Sequence, residues 1–136
     1  MAADYAYALV QVAHNLGAVA VVGSPAAAWL WLREQRAVPV MLAWLTAGGW
    51  LVQVLSGVGF GVTSYLSRGE LPEVTGVALF ALYLKVSCAA TGLALAAFYL
   101  LIPLWRREQT QRGLWPSLLV IGIAALSGAA FLRWFG

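Results

Sequence analysis

The sequence predicts an all-α integral membrane protein, an antiparallel four-helix bundle, on three observations. Its composition is 62% hydrophobic and only 10% charged, far from the balance of a soluble domain. Four apolar stretches are each long enough to cross a hydrocarbon core, which takes about 20 helical residues. The connections between them, REQRAVP, SRGELPE and RREQTQRG, are too short to carry a further domain, so consecutive spans should be neighbours. The 136 residues thus read as one four-span domain.

The first span is expected from about Tyr5 to Leu32. It contains HNLGAVAVVGSPAAAWLWLREQR, in which the only histidine of the chain, His14, is followed by eighteen uncharged residues. Pro25, after Gly23 and Ser24, is the candidate for a kink. The second span is expected from about Val38 to Leu66 and the third from about Val74 to Trp105. The fourth runs from about Trp115 to Phe135. Pro39, Pro72 and Pro116 fall near the starts of spans two, three and four, where a missing amide donor costs nothing. Pro103 falls near the end of span three.

Positive charge sets the expected orientation. The first and third connections carry Arg33, Arg36, Arg106, Arg107 and Arg112, against Arg68 in the second and Arg133 near the C-terminus. Both Arg-rich turns should therefore be cytoplasmic and the N- and C-termini outside, on the periplasmic side of a bacterial inner membrane. REQR and RREQTQR also resemble each other, as a duplicated helix pair or shared charge chemistry would make them. The aromatic residues Trp29, Trp31, Trp105, Trp115 and Trp134 are expected to fix the depth at the interfaces. No basic segment precedes the first span, since Asp4 is the first charge, so the N-terminus reads as retained.

Three polar residues fall inside spans at one expected depth, in the outer half. His14 lies nineteen residues before Arg33, Lys85 twenty-one before Arg106 on a parallel helix, and Gln53 fifteen before Arg68 on an antiparallel one. Helical spacing gives each a face of small residues: Gly17 and Ala18 beside His14; Gly49, Ser56 and Gly57 beside Gln53; Cys88, Ala89 and Gly92 beside Lys85. Small residues mark helix contacts in membranes, so all three side chains should point inward, with Gly17, Gly57, Gly61, Gly92 and Gly128 as packing positions. The bland reading is an interhelical hydrogen-bond link, with the Lys85 stem reaching toward the interface. The sharper one is a site, because a charge within a span costs about 2.5 to 3.5 kcal/mol.

Several chemistries are excluded or weak. One histidine cannot supply both axial ligands of haem b within the chain, and His14 with Cys88 is a thin ligand set for copper. The single cysteine allows no internal disulfide. The acids sit at membrane edges, and GVGFG at 57–61 lies within a span, so no catalytic residues and no phosphate loop are assigned. The net charge of +3 reads as topology and not as nucleic-acid binding.

His14, Gly17 and Gly23 in the first span, a Gly-bearing second span and Lys85 midway down the third resemble the small four-helix membrane proteins related to the copper-resistance protein CopD and to HemJ-type protoporphyrinogen oxidase. The resemblance implies a polar centre at His14 and Lys85 associated with copper, or with haem and porphyrin. This chain lacks the second intramembrane histidine and the acid and arginine cluster that porphyrin chemistry would use.

The expected function is a small accessory or scaffolding subunit of a larger membrane complex, respiratory or otherwise redox, held by other membrane subunits or by self-association. Small-residue seams such as Gly57 with Gly61 and Ala124 with Gly128 would serve further helices. The alternative is a haem, porphyrin or copper-binding protein using His14, Lys85 and Gln53; binding no cofactor is equally compatible with the sequence. A transporter subunit ranks last, because the spans hold no acid for proton coupling.

Overall fold

A computed structural model of the chain describes residues 2–34, 37–70 and 73–135. These form four long helices: α1 Ala2–Glu34, α2 Val40–Arg68, α3 Gly76–Leu101 and α4 Glu108–Phe135, with a 3-10 turn, Pro103–Arg106, after α3. All four are long and apolar enough to cross a membrane. Arg36 and Pro72, used above for orientation and for the start of the third span, lie outside the described residues.

Each helix packs on two others: α1 on α2 and α4, α3 on α4 and α2. Glycine makes the closest approaches. A Cβ at Gly49 would lie 2.8 Å from the Cβ of Ala20, and one at Gly17 would lie 3.1 Å from the carbonyl oxygen of Gly49. Gly59 meets Val10 further along the same seam. Residue numbers on α1 rise as those on α2 fall, so the pair forms a close hairpin. The second hairpin closes where Gly128 of α4 sits against Ala81 and Leu84 of α3.

Two core clusters join the hairpins. Ala28, Leu32, Val38, Ala43, Tyr99, Leu114, Trp115 and Leu118 fill the end nearer the Arg-rich connections. Val21, Trp50, Cys88 and Ala125 fill the middle. Trp50 lies over Gly92, where any side chain would occupy the space of the indole ring.

Pro25 and Pro103 each leave a helix carbonyl without its usual donor. Helix α1 continues through Pro25. Pro25 cannot donate to the carbonyl of Val21 four residues earlier. That oxygen instead faces the backbone of Gly122, where a Cβ would lie 2.7 Å from it. The close approach lets an α-carbon hydrogen of α4 stand beside the unpaired oxygen. Pro103 ends α3 at Leu101, four residues before the expected Trp105, because it cannot donate to the carbonyl of Tyr99. Arg106 supplies the missing donors, Nε to Tyr99 O at 3.3 Å and Nη2 to Leu100 O at 2.6 Å, and brings a cation to the helix C-terminus.

Two other expectations need correcting. Helix α4 begins at Glu108, so most of RREQTQRG is helix and Pro116 lies inside α4. Trp115 is not an interfacial anchor but fully buried, packed edge to face on Tyr99 at 5.1 Å. At the other end of the bundle α2 stops at Gly69, whose left-handed conformation (φ 78°) lets its N–H bond Tyr65 O.

Candidate functional site

His14, Gln53 and Lys85 meet at one place. Ser56, a small-faced neighbour of Gln53 on α2, folds its hydroxyl back onto Val52 O at 2.5 Å. With that proton committed, Ser56 Oγ is left to accept, so His14 Nδ1 donates to it across 2.7 Å. The neutral imidazole then presents only the lone pair of Nε2, and Lys85 Nζ lies 3.0 Å away to donate to it. Gln53 Nε2 donates to the backbone oxygen of His14 at 2.6 Å. His14, Gln53 and Ser56 are all buried, and the edge-on ring of Phe60 stands 5.4 Å from the imidazole.

This is the layer of His14, Lys85 and Gln53, with Ser56 as a fourth member. Spacing had marked Ser56 as a small neighbour, not as the partner that fixes the imidazole tautomer. Because α1 and α3 are not neighbours among the described residues, the bond from Lys85 to His14 crosses the bundle diagonally. It ties one hairpin to the other.

Cys88 lies one turn beyond Lys85 but is buried in the apolar cluster with Val21, Trp50 and Ala125. No group of three or more His, Cys, Asp or Glu side chains able to hold a metal occurs among the described residues. Both nitrogens of His14 are engaged by protein groups, so bonding to copper or haem iron first requires release of Lys85. The packing glycines divide. Gly17, Gly92 and Gly128 contact neighbouring helices, whereas Gly57 and Gly61 have nothing within 4 Å. The Ala124 and Gly128 seam is used within the chain: Ala124 packs against the middle cluster and Gly128 is buried on α3.

In comparisons with known proteins, no family model, no curated protein and no solved structure matches the chain.

A second polar centre, at the Arg-rich end, was not anticipated. Gln111 is 2% exposed. Its Oε1 accepts from the backbone N–H of Val38 at 3.2 Å and from the hydroxyl of Tyr99 at 3.4 Å, while its Nε2 donates to Arg106 O at 2.5 Å. One side chain thus latches the connection before α2 to both helices of the second hairpin. The signal was present in the sequence, since Gln111, Leu114, Trp115, Leu118, Gly122 and Ala125 form a single helical stripe. Gln111→Leu removes the acceptor of two buried donors and is expected to cost about 2 to 3 kcal/mol. The exposed Gln109→Leu should stay within about 0.5 kcal/mol of the parent. Reversible unfolding of both variants in mixed micelles checks this, and equal midpoints would dismiss the latch.

Proposed function

We propose that this chain is a small accessory or scaffolding subunit of a larger membrane complex, respiratory or otherwise redox. In this reading it sits in a bacterial inner membrane with both termini periplasmic and the Arg-rich turns cytoplasmic. The observation that carries the proposal is a contrast within the bundle. His14, Gln53 and Ser56 are closed on partners within the chain. Gly57 and Gly61, one turn apart on α2, have open space above both. A bare GxxxG step lets a foreign helix approach backbone to backbone, which is how spanning helices associate where hydrocarbon offers no hydrophobic drive.

Mild extraction of the native protein should recover it with larger membrane subunits. Gly57→Leu/Gly61→Leu should abolish that association while the isolated chain keeps its helix content and unfolding midpoint. A native protein that runs alone at 14.5 kDa would defeat the proposal. The competing reading is haem, porphyrin or copper at His14, with Lys85 and Gln53 beside it, and it requires the imidazole to give up Lys85. A Soret band or stoichiometric copper in the purified protein would favour it.

A further inference from the structure

Lys85 is the only lysine of the chain and the only charged residue in the interior of a span. It is the tenth residue of α3, about 14 Å along the helix, which places it well inside a hydrocarbon layer about 30 Å thick. Among the described residues it has a neutral acceptor, His14 Nε2, and no anion beside it. All five acids, Asp4, Glu34, Glu70, Glu73 and Glu108, lie at helix ends or in connections. Asp4 precedes His14 by ten helical residues, about 15 Å of rise, and Glu73 lies before α3, which itself starts nine residues ahead of Lys85. Of the three N–H donors of the ammonium group, one serves His14 and two have no partner among the described residues.

The surroundings leave those donors within reach. Between the polar layer and the chain termini, no described residue of 4–13 or 57–67 is buried. Burial in the same part of the second hairpin is confined to Ala78, Ala81 and Gly128, and Gly128 sits against α3 of its own hairpin. The residues that join the hairpins all lie at the layer or beyond it. Lys85 itself is only partly buried, at the edge of this exposed part of the bundle. Beside it Tyr7 packs on Phe60, and Phe60 packs on His14.

We infer that Lys85 binds an oxyanion, a carboxylate or phosphate group, reaching it from the end of the bundle where few residues are buried. The anion takes the two unshared N–H donors and neutralises a charge that the described residues leave uncompensated. His14, held by Ser56, keeps the ammonium in place to receive it. The oxyanion belongs either to the headgroup of a membrane amphiphile or to a small solute from the aqueous side.

A single lysine makes the test direct. Protein labelled with 15N-lysine, in phosphatidylcholine nanodiscs, has one Nζ resonance. It should shift saturably on titration with at least one of oleate, phosphatidylglycerol or inorganic phosphate. A shift with oleate or phosphatidylglycerol identifies an amphiphile, and one with phosphate alone identifies a solute. Oleyl alcohol, with the same tail and no charge, should leave the resonance in place. In equilibrium binding of the effective probe, Lys85→Met should weaken affinity about tenfold or more and Lys85→Arg should restore most of it. A resonance indifferent to all three probes, or equally responsive to oleyl alcohol, overturns the assignment without any variant having to fold.

Discussion

Gly92→Leu is expected to prevent the bundle from closing. The hydrogen of Gly92 lies under the indole of Trp50, and a Cβ there would intrude on the ring. Trp50 has no room to swing aside, because it is 1% exposed and is packed with Val21, Cys88 and Ala125. Overpacking of a rigid site costs about 1 to 3 kcal/mol even for modest insertions, so leucine should reach the upper end of that range or pass it. Gly57→Leu is the matched control, the same change on α2 at a site facing open space. Titration from lipid-like micelles into denaturing detergent, followed by helix content and tryptophan fluorescence, should separate the two variants widely. If they unfold together, the close approach of α3 to Trp50 is not what holds the hairpins.

Breaking the diagonal link at His14 alone should cost more than removing both of its ends. His14→Leu deprives Lys85 of its only acceptor among the described residues and should lower stability by about 2 kcal/mol. Lys85→Met leaves the lone pair of Nε2 unused while the bond from Nδ1 to Ser56 survives, a loss of about 1 kcal/mol. The double variant replaces both ends with apolar groups and should return to within about 1 kcal/mol of the parent. The cycle thus predicts a coupling of about 2 kcal/mol between residues on helices that are not neighbours. Additivity within about 0.5 kcal/mol would show that the 3.0 Å contact does not tie the hairpins together.

The number of helices and the meeting of His14, Gln53 and Lys85 were legible in the sequence for a physical reason. Long uncharged runs bounded by arginine leave few options in a bilayer, and a polar side chain within one must face its neighbours. Counting residues from the arginine that closes each span was enough to place all three at one level. What could not be read was how small residues divide between inward and outward roles. Gly92 and Gly57 are both glycines in apolar helices, but one lies under Trp50 and the other meets open space. The spacing within each helix is indifferent to which neighbour arrives. Trp115 was misplaced for a related reason, since an aromatic residue near a span end suits a headgroup as well as a core. Gln111 was hidden because the polar run RREQTQRG reads as a turn. Only its stripe with Leu114, Trp115 and Leu118 gives the helix away.

The way the polar bonds are shared between the hairpins also bears on how the chain can be made. Ser56 and Gln53 both satisfy His14 within α1 and α2, the first half to leave the ribosome. That half can enter the bilayer with its internal donors already met and one imidazole lone pair unfilled. Lys85 is synthesised later, on α3, and the vacant acceptor waits at its own depth. Translation order alone therefore gives the nascent second half a docking register, before any of the core around Trp115 exists.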